Sequence, residues 1–63
     1  MSKVMTKEEA IAFANSVRAK YPQHEYLEDV IDSAKADGIF KNQTEMMICW
    51  GIFMKTMPRK FGA

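Results

Sequence analysis

Between Asn42 and Pro58 runs the stretch that most limits how this chain can fold. From Met46 to Met54 no residue carries a charge, in a chain of only 63 residues. Met46, Cys49, Trp50, Phe53 and Met57 recur at spacings of three and four, the period of a helix. Met47 and Met54 widen that side, while Ile48 and Ile52 fall on the side that also carries Glu45 and Lys55. The segment is therefore apolar on nearly every side, where a surface helix needs only one apolar stripe. It is too short to cross a bilayer, because nine helical residues rise roughly 14 Å, about half of a hydrocarbon core. A chain of this size buries only about 60% of the surface its unfolded form exposes. Two further short helices are poorly able to cover such a helix. We therefore expect a copy of the chain, or another protein, to complete its burial.

The rest of the sequence divides at its caps and breakers. Thr6-Lys7-Glu8-Glu9 has the spacing of a capping box, with the Thr6 hydroxyl and the Glu9 carboxylate satisfying each other's backbone amides. Ala10, Phe13, Ala14, Val17 and Tyr21 then share one helical side, and Pro22 stops the helix by removing an amide. A second helix is expected from Pro22 onward, with Leu27, Val30, Ile31 and Ala34 as its stripe. Gly38 is placed to close it in the left-handed conformation, with Ile39 or Phe40 supplying the accompanying apolar contact. Asn42-Gln43-Thr44-Glu45 offers another capping box, and Pro58 ends the third helix. The same Asn42-Gln43-Thr44 spells a glycosylation acceptor, which we read as a cap instead. The expected fold is all-α, one small domain with helices at about 7–20, 22–36 and 43–57, and with loose ends at 1–5 and 59–63.

Charge narrows the classes of function. Nine basic and eight acidic side chains leave +1 overall, which argues against a strongly polyanion-binding protein. The charges are uneven. Residues 1–40 hold five basic and seven acidic groups, and residues 41–63 hold four and one. Glu25, Glu28, Asp29 and Asp32 are expected to share the solvent face of the second helix, where they are either a solvated surface or a patch that steers a basic partner. One cysteine, Cys49, excludes an internal disulfide and a thiolate zinc site. The single histidine, His24, is expected at the surface beside Glu25 and Glu28. No phosphate loop, nucleophile elbow or paired His ligands occur, and a cleft of ligand size is hard to house here. Neither catalysis, cofactor nor metal is expected. A start without an apolar run of signal-peptide length, together with a lone reduced Cys49, leads us to expect a cytoplasmic protein without a membrane segment.

One motif gives an alternative. Gly38-Ile39-Phe40-Lys41-Asn42-Gln43-Thr44-Glu45-Met46-Met47 resembles the turn and second-helix start of ribbon-helix-helix repressors of the antitoxin type. The resemblance implies an intertwined DNA-binding dimer. Val17 to Tyr21 would be its ribbon strand, Arg18 and Lys20 would face the major groove, and Pro22 would open the first helix of the motif. The main expectation is different: a non-catalytic helical module, adaptor, inhibitor or regulatory subunit, that binds another protein, a second copy of itself, or both. Its partner-binding residues are expected among Met47, Ile48, Trp50, Ile52 and Met54, with the acidic Glu25, Glu28, Asp29 and Asp32. A helix at residues 17–21 favours this reading, and a strand favours the ribbon.

Overall fold

Thr6 opens the first helix as its spacing to Glu9 requires. The Glu9 amide donates to Thr6 Oγ1 at 3.1 Å, and the Thr6 amide donates to Glu9 Oε1 at 2.9 Å. The structure, a computed structural model, describes residues 5–61. Helix α1 spans Lys7–Lys20, α2 spans Leu27–Ala36 and α3 spans Gln43–Thr56, with no strand among the described residues. None of these helices is long and apolar enough to cross a membrane. Val17 to Lys20 form the last turn of α1 and Tyr21 is its C-cap, so the strand that a ribbon-helix-helix protein needs is absent from these residues.

Helix α2 begins five residues later than expected, and the reason is tertiary. Pro22 does not open it. Residues 22–26 form a turn in which the His24 amide donates to the Tyr21 carbonyl at 3.2 Å. Tyr26 takes the N-cap position without any side-chain cap. The Leu27 amide donates instead to the carbonyl of Pro58, 3.0 Å away and beyond α3. A distant backbone carbonyl thus supplies what a local side chain ordinarily does. At the other end Gly38 has φ +72°, the Ile39 amide reaches the Ala34 carbonyl at 2.9 Å, and the Gly38 amide reaches Lys35 at 3.1 Å. That pair of bonds is the Schellman closure expected of this glycine.

Helix α3 starts at Asn42, whose Oδ1 accepts from the Glu45 amide at 3.0 Å. The reciprocal half of the box falls one residue early, because Glu45 Oε1 accepts from the Lys41 amide. The helix packs on both α1 and α2, which touch each other least. The core consists of Ala14, Val17 and Tyr21 from the first segment, Leu27, Val30, Ile31 and Ala34 from α2, and Cys49 and Phe53 from α3. Phe13, Phe40, Met46, Trp50, Ile52 and Met57 are half-buried around it, with Phe13 and Phe40 meeting edge to face at 6.2 Å. The apolar α3 is therefore the shared wall of the bundle, although two of its methionines, Met47 and Met54, stay exposed.

Candidate functional site

Of the expected α3 residues, Met47, Ile48 and Ile52 come together with Gly51 and, from α1, with Ile11. They line an open groove of about 650 Å³, within the size range of ligand clefts, with Lys7 and Lys55 among its polar lining. A cleft of this size was expected to be hard to house in so short a chain. The groove lies between two helices and needs no enclosed interior. Its apolar walls are not covered by the chain, since Met47 is 61% exposed and Ile11 41%. Gly51 sits in the middle of α3, where glycine weakens a helix. Nothing in this structure requires it, because a Cβ added there meets no atom within 4 Å and its φ is not positive.

Trp50 and Met54 of α3 meet the C-terminal segment. The Arg59 guanidinium lies 5.0 Å from the Trp50 ring centroid, and its Nη1 donates to Met54 Sδ at 3.1 Å. Neither Trp50 nor Met54 lines the groove, although Met54, like Met47, is exposed.

The expected acidic face is not a face. Glu25 lies in the turn before α2, and only Glu25 and Asp32 are exposed. Glu28 is buried, and its carboxylate is an anchor. It accepts from Arg59 Nε at 2.9 Å, from the Lys60 amide at 2.7 Å and from the Phe61 amide at 3.1 Å. Asp29 pairs with Lys60 Nζ at 3.3 Å. Burial alone would raise the Glu28 pKa. The Lys60 amide, the Arg59 guanidinium, its own amide and the Phe61 amide outweigh that and hold it at about 2. Residues 59–61, expected to be loose, are tied to α2 by these bonds, while residues 1–4, 62 and 63 lie outside the described residues. A carboxylate in a helical charge run looks solvated in sequence. Only the returning chain shows that this one is enclosed.

A third cluster joins the end of α1 to α2. Tyr21 Oη donates to Asp37 Oδ2 at 2.6 Å, and this bond, burial and the Asp37 charge raise the Tyr21 pKa to about 12. His24 is half-buried rather than free at the surface, with its Nε2 3.0 Å from Ser33 Oγ. Asp37 is engaged with Tyr21. The Ser33–His24 contact therefore fastens a loop to a helix. Cys49 is fully buried, and burial followed by the Glu45 charge raises its pKa to about 11, so it behaves as a small apolar core residue. No group of three or more His, Cys, Asp or Glu side chains that could hold a metal occurs among the described residues.

Comparison with known proteins adds no relative: no family, curated protein or solved structure matches this chain. Of the groove residues, Ile11, Gly51 and Lys7 were not singled out from the sequence. Ile11 falls beside the core-facing stripe of α1, so only the packing of α3 gives it a role. Gly51 is a lone glycine within an apolar helical run, where it costs about 1 kcal/mol relative to alanine.

Proposed function

We propose that this protein is a non-catalytic interaction module, an adaptor, inhibitor or regulatory subunit, which engages another protein through the α1–α3 groove. The observation that carries this reading is the continuity of Ile11, Met47, Ile48 and Ile52 along one open groove after the core has been filled. Trp, Phe and Met are enriched where proteins meet, and an exposed methionine adapts to its partner's shape. Apolar side chains collected in a groove also differ from the singly scattered ones of an ordinary surface.

The test is quantitative affinity capture from the native host with the wild-type protein, with Met47→Asp and with Ala19→Asp. Ala19 is exposed on α1 and does not line the groove. A partner retained by wild type and Ala19→Asp but lost with Met47→Asp supports the reading. Identical capture by all three overturns it. Self-association with α3 at or near the interface is the other expectation, and sedimentation equilibrium of wild type and Met47→Asp tests whether it occurs through this groove. A dimer that Met47→Asp dissociates makes the partner a second copy.

A further inference from the structure

We infer that the groove between α1 and α3 is built for an amphipathic helix of a different protein, one with an apolar stripe flanked by acidic residues, which crosses α3 at Gly51. The inference rests on the interaction reading above and names the occupant. Two observations carry it.

The first is Gly51. A glycine in a helix interior is tolerated at a cost, and inside the chain nothing offsets that cost, because an added Cβ meets open space. What a glycine provides there is a bare, exposed stretch of helix backbone on the α3 wall of the groove, beside Met47, Ile48 and Ile52. Small residues at such a position let two helix backbones approach closely, and the surrounding long side chains then pack around the crossing helix. Neither a solvated surface nor a flat contact requires that gap. A helix laid across it does.

The second is charge. Lys7 and Lys55 are the charged residues of the groove lining among the described residues, and no Asp or Glu of those residues lines it. A two-fold interface is self-complementary, so a second copy docked groove to groove adds two further lysines and no carboxylate from its own lining. Like charges across an interface disfavour that pairing, whereas acidic residues beside an apolar stripe complement both lysines. The exposed carboxylates Glu8, Glu9, Glu25, Asp32 and Asp37 all stand outside the lining, so docking of one lining on another gives neither lysine an acidic partner within it.

The probe is a pair of stapled helical peptides with Leu at i, i+4, i+7 and i+11. One has Glu flanking the stripe, and its twin has Lys at every Glu. Binding is followed by NMR amide shifts and by calorimetry at low and moderate salt. The Glu peptide should bind about tenfold more tightly than its twin at low salt, with the margin shrinking as salt rises. Its largest shifts should fall on Ile11, Met47, Gly51 and Ile52. Lys7→Glu/Lys55→Glu should reverse the preference, and Lys7→Gln/Lys55→Gln, a milder change, should erase it. Gly51→Ala should raise the unfolding midpoint by about 4–8 °C, while Gly51→Leu should abolish peptide binding with helix content unchanged.

Equal affinity for the two peptides, binding by neither at millimolar concentration, or shifts centred elsewhere would overturn the inference. So would undiminished binding by Gly51→Leu, or a wild-type dimer that Met47→Asp dissociates. If the peptides fail while Met47→Asp still loses a host partner, the interaction reading stands and only the acidic helix is withdrawn. If both fail, the reading itself is withdrawn.

Discussion

Gly38 and Gly51 should answer the same substitution with opposite signs. Gly38 closes α2 at φ +72°, where an L side chain is strained, so Gly38→Ala is expected to destabilise by about 1–2 kcal/mol. Asparagine visits that region more readily and should cost less there. Gly51 has helical backbone and open space at its Cβ, so Gly51→Ala should stabilise by about 0.8–1 kcal/mol. Urea unfolding of the three variants checks both signs. A destabilised Gly51→Ala would mean that this glycine serves the fold itself. The same scale shows why one carboxylate was misplaced. Glu28 and Asp32 lie one helical turn apart, each just after an apolar residue of the same stripe, yet one is enclosed by Arg59, Lys60 and Phe61 and the other faces water. The returning segment makes that distinction, and it lies more than thirty residues away.

At the scale of elements, the helices differ in where their ends are held. The α1 start is local, since Thr6 and Glu9 cap each other. Thr6→Ala should cost about 1 kcal/mol and fray only the first turn. The α2 start is remote, because its first amide depends on the Pro58 carbonyl and its second residue on the amides of Lys60 and Phe61. Ending the chain at Met57 should therefore loosen α2 although no α2 residue is changed. Hydrogen exchange is the direct measurement: the Leu27 amide should lose protection in the shortened chain, while Ala10, bonded to the Thr6 carbonyl, keeps its own. Equal protection at Leu27 in both chains would show that the segment after Pro58 does not hold this helix. The late start of α2 follows from the same fact. Pro22 suits a first turn, but the carbonyl that receives the Leu27 amide is fixed by the end of α3, and that fixes where the helix begins.

For the molecule as a whole, stability rests on one thin core. Leu27 and Val30 are fully buried, and Leu27→Ala should cost about 2–5 kcal/mol, a large part of the roughly 3–9 kcal/mol that a chain of this length commands. Thermal unfolding should show this variant losing most of its cooperative transition. Stability should also depend on pH at both extremes. The Glu28 carboxyl is depressed from 4.5 to about 2 in the folded chain, so its contribution is complete above pH 4.5 and is lost as the pH falls through about 2. The Tyr21 hydroxyl is raised from 10.0 to about 12, so its contribution is complete below pH 10.0 and is lost as the pH rises through about 12. Glu28→Gln should flatten the acid limb and leave the alkaline limb unchanged, and Tyr21→Phe should do the reverse. Denaturation midpoints across these two windows test the assignment. An unaltered acid limb in Glu28→Gln would move the acid dependence to other carboxylates.

The sequence by itself determined what is decided within about one turn of helix. That covers three helices, the caps at Thr6 and Asn42, the left-handed turn at Gly38, and the stripe from Leu27 to Ala34. These follow from backbone hydrogen-bond geometry and side-chain period, which act over three or four residues. It also marked α3 as more apolar than two short helices can fully cover, a matter of surface to volume in a small chain. Only the tertiary structure decided which α3 residues stay open. It set Met47, Ile48 and Ile52 beside Ile11 and placed Trp50 and Met54 under Arg59. It also turned Glu28 from a surface charge into the anchor of the C-terminal segment. Those outcomes depend on contacts between residues far apart along the chain, and neither composition nor period records which distant carbonyl, guanidinium or helix face a side chain will meet.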